Sequence, residues 1–293
     1  MKVALYGQFY KPEDKIYIEE LLSILTKKNI SVVVEQNFYK GFSSEINQKN
    51  IDTFSCYEDL DNSFSYMFTL GGDGTILRAV TYIRDKNIPI VGINTGRLGF
   101  LANVQKDEID VAVDFILEKK YKIKERSVLH VATNPIIPEM HPLNFALNEV
   151  SVSRKNTASM ITVDTYLDNE YLTSYWADGL IIATPTGSTG YSLSCGGPII
   201  APTAKSFALT PIAPHNLSAR PMVIPDETII DFNVKGREDE FLLSLDSRIV
   251  TINSAIKIEV KKADFSLKMV QISEQTFLKT LREKLLWGQD TRN

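Results

Sequence analysis

Residues 69–75 read Thr-Leu-Gly-Gly-Asp-Gly-Thr and place one acidic side chain inside a glycine turn at the end of an apolar run. Residues 65–70 have the composition of a strand, and residues 76–80 open a helical pattern. Gly71, Gly72 and Gly74 permit positive φ and close approach of a ligand. Successive N–H groups in such a turn, leading into a helix start, form an anion site. Glycines alone fit an ordinary strand-to-helix connection equally well. Asp73 tips the reading, because a carboxylate repels a phosphate unless it serves the chemistry or a metal. A carboxylate beside bare backbone donors is what phosphoryl transfer to a hydroxyl requires.

Three further segments carry side chains suited to the same chemistry. Asn94-Thr95-Gly96-Arg97-Leu98-Gly99-Phe100-Leu101 is a second glycine turn after an apolar strand, residues 88–94. Phe100 there either stacks on a ring or fills the core. Asn148-Glu149 interrupts an apolar stretch at residues 146–153, read as one strand. Adjacent strand residues point to opposite faces, so one of this pair faces a core or cleft. An amide with a carboxylate can hold two neighbouring hydroxyls or an adenine edge. The longest block, residues 178–198, runs from Asp178 through an apolar strand into Thr184-Pro185-Thr186-Gly187-Ser188-Thr189-Gly190-Tyr191-Ser192-Leu193-Ser194-Cys195-Gly196-Gly197-Pro198. Its hydroxyls and N–H groups suit a pyrophosphate and a ribose without net positive charge.

What is missing narrows the field. The chain has no G-x-x-x-x-G-K-[ST], no G-x-G-x-x-G after a strand, no G-x-S-x-G and no protein-kinase H-R-D or D-F-G element. His130, His141 and His215 lack metal-ligand spacing, so no zinc site is expected and no metal ligand is assigned. A net charge of -4 removes the electrostatic case for nucleic acid. No run approaches a membrane span. Cys56 and Cys195 are far apart, and no leader precedes the first strand, which is the expectation for reduced thiols in the cytoplasm.

The elements that position these groups fall into two textures over 293 residues, enough for two cores. Residues 1–122 alternate strand and helix patterns, the signature of an α/β domain with a Rossmann-like parallel sheet covered on both faces. In such a sheet the strand ends gather at one edge, where ligands bind. Residues 47–62 are polar and read as loop. Residues 123–273 carry short strand-like runs, among them 126–133, 146–153, 160–167 and 267–272, with a hairpin tip at Asp168-Asn169-Glu170. That half is expected to be an all-β sandwich. A helical pattern at 276–286 is expected to return to the first domain, so residues 274–293 join it.

Gly71-Gly72-Asp73-Gly74, the turn at 95–101, Asn148-Glu149, the block at 178–198 and Pro214-His215-Asn216-Leu217-Ser218-Ala219-Arg220-Pro221 together resemble the NAD kinase family over most of the chain. The glycine–aspartate turn alone is shared with lipid-kinase-like and sugar-kinase-like enzymes; the Thr-Pro-Thr-Gly-Ser-Thr block is far more specific. Gly190 and Cys195 stand where alanine is frequent, and Trp176 and Ser159 stand where other types occur. The resemblance implies phosphorylation of the adenosine ribose 2′-hydroxyl of NAD by ATP, with a divalent metal, Mg2+ or Mn2+, in a homodimer or homotetramer. Carried over by position, Asp73 is the general base. Gly72, Gly74 and Arg78 contact phosphates or nearby groups, with Phe100 beside them. Asn148 and Glu149 bind ribose hydroxyls or adenine. Trp176, Asp178, Thr189, Gly190, Tyr191, Ser192, Leu193 and Ser194 line the dinucleotide. Ala213 and Arg248 are further candidates near the adenine and the new phosphate. The competing readings are a lipid or sugar kinase of the same turn class and a non-catalytic NAD sensor.

Overall fold

The computed structural model describes residues 1–46, 51–97, 99–156, 159–216, 218–272 and 276–286. Two compact units emerge, one of residues 1–125 with 267–293 and one of residues 126–266.

The first unit is built on a sheet of eight strands among the described residues, in the order Asp52–Phe54, Ser31–Glu35, Lys2–Gly7, Phe64–Leu70, Ile90–Asn94, Leu267–Gln271 and Lys122–Arg126, with Val104–Gln105 also beside Ile90–Asn94. The pairs from Asp52–Phe54 across to Leu267–Gln271 are parallel. Parallel strands are buried on both faces, and the near-continuous apolar runs of Lys2–Gly7 and Ile90–Asn94 meet that demand. Leu5 packs with Leu21, Leu22 and Leu25 of the helix Lys15–Lys27 and with Val113 and Ile116 of the helix Ile109–Leu117. Tyr6 points the other way and meets Tyr82 of the helix Asp73–Ile83, ring centroids 5.3 Å apart. Helices therefore cover both faces. The connection from Lys2–Gly7 runs one way along the sheet and that from Phe64–Leu70 the other, so their adjoining ends form the switch point where such sheets bind ligands. The terminal helix Phe277–Leu285 belongs to this unit, and Phe277 lies 6.1 Å from Phe100.

The second unit is a sandwich of two antiparallel sheets. One runs Met222–Pro225, Ser206–Ile212, Gly179–Ala183, Glu149–Arg154, Phe241–Leu245, Arg248–Ile252; the other Glu170–Ala177, Ile161–Leu167, Ile230–Gly236, Lys257–Lys262, Leu129–Asn134, Phe145–Ala146. Val150, Val152, Leu180 and Ile182 from one inner face interdigitate with Val131, Val163, Phe232 and Val260 from the other, all essentially inaccessible to water. The hairpin tip at Asp168 and Asn169 has φ of 49 and 68, the left-handed pair that a two-residue turn favours.

Four expectations change. Residues 146–153 are not one strand: Phe145–Ala146 and Glu149–Arg154 belong to different sheets, and the chain crosses between them at Leu147 and Asn148. Residues 126–133 likewise divide into Lys122–Arg126 in the first unit's sheet and Leu129–Asn134 in the sandwich. Leu267–Gln271 joins the parallel sheet instead of the sandwich, and Leu267, Met269 and Val270 are buried there, so the unit limits fall at 125 and 266 instead of 122 and 273. An apolar β pattern does not say which sheet receives it. The polar stretch at 47–62 contributes the edge strand Asp52–Phe54 and a short turn at Tyr57–Asp59, with Phe54 buried on Tyr82; residues 47–50 lie outside the described residues.

Candidate functional site

The first unit brings the two glycine turns together through Asp73. Gly71 N–H donates to the Ile93 carbonyl at 3.0 Å, so the turn begins against the neighbouring strand end. Gly71 has φ of +143, a left-handed value that favours glycine. Gly72 and Gly74 face open space, which leaves their backbone approachable. Asp73 opens the helix Asp73–Ile83, where the positive end of the dipole favours a carboxylate. Its side chain reaches the second turn: Oδ2 accepts from Phe100 N–H at 2.7 Å, and Oδ1 from Leu101 and Ala102 N–H at 3.0 and 3.1 Å. A carboxylate offers about four lone-pair positions. Three are occupied, which leaves one on Oδ2 for a proton or a metal.

Gly99 makes this contact possible, since a Cβ there would lie 1.9 Å from Asp73 Oδ1. Phe100 is half-buried beside Phe277, so its ring partly fills the unit's own packing. Arg78 is exposed on the same helix, and its charge acts on the phenols of Tyr6 and Tyr82. Leu98 lies outside the described residues.

In the second unit the crossing at 147–148 meets the loop that follows the strand Gly179–Ala183. Thr184 N–H donates to the Asn148 carbonyl at 2.9 Å, and Thr184 Oγ1 to the Leu147 carbonyl at 2.6 Å. Gly187 packs so closely that a Cβ would sit 2.0 Å from the Asn148 carbonyl oxygen. A Cβ on Gly190 would lie 3.2 Å from Glu149 Oε2, a tight contact. The Tyr191 backbone N–H donates to the Glu149 carboxylate. Glu149 Oε2 and Asn148 Oδ1 are buried and have no hydrogen-bond partner. Orphaned acceptors of this kind cost about 1–3 kcal/mol each, and here two fall on adjacent residues. Burial, and then the charge of Asp246, push the Glu149 carboxyl up to about 7, against the Tyr191 N–H bond.

Other candidates hold different places. Ser192 Oγ is bonded to Thr210 Oγ1 at 2.8 Å and fully buried, so it braces the loop and presents no donor outward. Thr189 Oγ1 donates to the Thr186 carbonyl at 3.2 Å. Tyr191 and Ser194 are exposed, and Leu193 is half-buried. Asp178 pairs with Arg154 at 2.9 Å. Trp176 is exposed, its ring 4.3 Å from that of His215, whose N–H donates to the Trp176 carbonyl at 2.9 Å. Ala213 is exposed with φ of 44, and Leu217 lies outside the described residues. Arg248 donates to the Leu143 carbonyl at 2.6 Å and to that of Phe145, and so ties down a loop. Sequence reasoning missed Asp246, whose carboxylate accepts from the N–H groups of Leu147, Asn148 and Glu149. An acidic residue between two strand patterns reads as a turn residue, so nothing in the sequence marks it.

Replacing Gly99 by alanine is expected to displace the Asp73 carboxylate and lower turnover at least tenfold while both units stay folded; circular dichroism beside steady-state kinetics checks it, and unchanged kcat would contradict the arrangement.

Comparison with known proteins assigns both units to one family. Residues 3–121 match the model of the ATP-NAD kinase N-terminal domain, and residues 147–272 that of the ATP-NAD kinase C-terminal domain. The NAD kinases of Flavobacterium johnsoniae and Christiangramia forsetii are 53% and 55% identical to this chain, with all of both chains covered. Yeast NADH kinase, solved with NADH, has the same fold, with a TM-score of 0.90 at 24% identity over 100% of this chain and 89% of its own. An NAD kinase from Archaeoglobus fulgidus, solved with ATP, superposes with a TM-score of 0.75 at 26% identity over 98% of this chain and 99% of its own. With the glycine–aspartate turn in one matched domain and the orphaned amide–carboxylate pair in the other, the chain belongs to the ATP-NAD kinase family.

Proposed function

We propose that this protein transfers the γ-phosphoryl group of ATP to the 2′-hydroxyl of the adenosine ribose of NAD, giving NADP. The observation that carries the reading is the Asp73 carboxylate, held by three N–H groups with one acceptor position left on Oδ2. In a loose phosphoryl-transfer transition state the hydroxyl proton leaves late, so a weak base at the right place suffices. Asp73 takes that role. Gly72 and Gly74, with open backbone, are the approach for phosphate oxygens, and Arg78 adds positive charge on the helix that follows.

Asn148 and Glu149 hold the dinucleotide. Two orphaned acceptors match the two donors of a ribose diol; an adenine edge presents an acceptor beside its amino group. Gly190 and Tyr191 shape the wall around Glu149, and Trp176 with His215 offers a ring surface for a base. Asp178, Thr189, Ser192, Leu193, Ser194, Ala213 and Arg248 complete the binding region, Ser192 and Arg248 by bracing it.

Among the described residues no three His, Cys, Asp or Glu side chains gather as a metal site. A divalent ion, Mg2+ or Mn2+, would be held by the ATP phosphates and water, the open position on Asp73 Oδ2 being kept for the hydroxyl proton. Bound in that way, it neutralises charge on the transferring phosphoryl group. A lipid or sugar kinase has no use for the 178–198 block, and a sensor has none for Asp73. Among the described residues no helix is long and apolar enough to cross a membrane, and both cysteines are free, in keeping with a cytoplasmic enzyme. The outer strand Met222–Pro225 leaves Met222 and Val223 exposed, which supports a homodimer or homotetramer; a single-chain mass in sedimentation would rule that out.

Incubation with NAD, ATP and magnesium, coupled to an NADP-specific dehydrogenase, is expected to yield NADP, and its absence from folded protein would overturn the reading. Asp73→Asn is expected to lower kcat about 10²–10⁴-fold with both units folded. Because the carboxyl of Glu149 ionises near pH 7, charge-assisted bonds to the diol strengthen as pH rises. KM for NAD is expected to fall on going from about pH 6 to about pH 8, and Glu149→Gln to flatten that dependence.

A further inference from the structure

We propose that Asp246 is a positioning residue for the dinucleotide site: its buried carboxylate fixes the backbone of Leu147, Asn148 and Glu149 and so sets where the Asn148 amide and the Glu149 carboxylate lie, and its negative charge stands behind Glu149. The inference rests on the reading of Asn148 and Glu149 as the NAD-binding pair.

The need for such a residue comes from topology. At Leu147 and Asn148 the chain leaves one sheet for the other, so no ladder partner is provided for successive N–H groups there, and unpaired buried donors are costly. Asp246 Oδ2 accepts from Leu147 N–H at 2.9 Å, and Oδ1 from Asn148 and Glu149 N–H at 2.8 and 3.2 Å. The bridge is reciprocal, since Asp246 N–H donates to the Glu149 carbonyl at 2.9 Å. The side chain is only 3% exposed.

Asp246 sits in the tight turn between Phe241–Leu245 and Arg248–Ile252, where Leu245 faces Arg248, and its φ is 52. Asp suits such a turn as well as Asn or Gly does, so what sets Asp246 apart is the three N–H groups its carboxylate holds. Arg248 Nη2 is 3.7 Å from Asp246 Oδ2, and the same guanidinium holds the Leu143 and Phe145 carbonyls. One hairpin turn thus staples the crossing segment on both sides of Leu147.

The groups acting on Glu149 are few. Burial is the largest influence and disfavours its charge, Asp246 acts in the same sense, and the Tyr191 N–H opposes both. The Tyr191 phenol also lies within electrostatic reach of Glu149, and Arg248 offsets part of the Asp246 charge. Burial raises the Asp246 carboxyl too, while its three N–H donors and Arg248 oppose the rise. Every donor on Asp246 aims a hydrogen at it, which is the pattern of an ionised carboxylate.

Asp246→Asn tests the proposal in the full chain. An amide has one acceptor oxygen and would turn its NH2 toward an N–H group, and it carries no charge. KM for NAD is expected to rise about tenfold with KM for ATP unchanged. The pH midpoint of the NAD dependence is expected to move to lower pH, and amide hydrogen exchange at residues 147–149 to quicken. A folded variant with wild-type KM for NAD, or with an unmoved midpoint, would overturn the assignment. If Asp246→Asn does not fold, Asp246→Glu takes its place: charge is kept and the carboxylate is displaced, so KM for NAD rises with the midpoint in place, and an unchanged KM overturns the proposal. Wild-type protein that makes no NADP would instead fail the kinase reading, and the exchange measurement would still decide whether Asp246 holds the segment.

Discussion

Among the described residues a carboxylate that accepts three successive backbone N–H groups occurs twice, once in each unit, and the candidate chemistry depends on both. Asp73 holds the amides of Phe100, Leu101 and Ala102; Asp246 holds those of Leu147, Asn148 and Glu149. In both places the chain has left a regular strand, and its donors need partners that no ladder supplies. A single carboxylate satisfies all three. The same bonds that close a loop orient the residues that the loop carries.

The two clamps differ in what they leave over. At Asp73 the clamping group is itself the proposed reactive group, with one acceptor position remaining beyond the three that fix it. At Asp246 the clamping group is withdrawn, and the free acceptors belong to its neighbours Asn148 and Glu149. Close approach is secured in each case by a missing Cβ: Gly99 against the Asp73 carboxylate, Gly187 against the Asn148 carbonyl. These glycines serve contact, since a Cβ on either would collide with the group it faces.

Much of the fold was readable because periodicity reports burial directly. The parallel sheet follows from apolar runs at Lys2–Gly7 and Ile90–Asn94 alternating with helical patterns, and the sandwich from short runs between turns such as that at Asp168 and Asn169. Strand membership was less readable. Residues 146–153 read as one strand, yet the chain changes sheets within it, and Leu147 stays buried at the change. Leu267–Gln271 has the alternation of a sandwich strand but lies between Ile90–Asn94 and Lys122–Arg126 in the first unit's sheet.

The sequence by itself determined the chemistry on offer: a lone carboxylate among glycines, an adjacent amide and acid, and a hydroxyl-rich block, with no P-loop and no dinucleotide fingerprint. These are properties of residue type and local spacing, and they survive any arrangement of the chain. Only the tertiary structure decided which groups are free. Ser192 reads as a donor and is spent on Thr210; Arg248 reads as a phosphate ligand and is engaged with carbonyls; Asp246 reads as a turn residue and organises the binding pair. The reason is that a hydrogen-bonding group's availability depends on partners 18, 105 or 98 positions away in the chain. No local pattern encodes such distances, and folding alone brings the partners within reach.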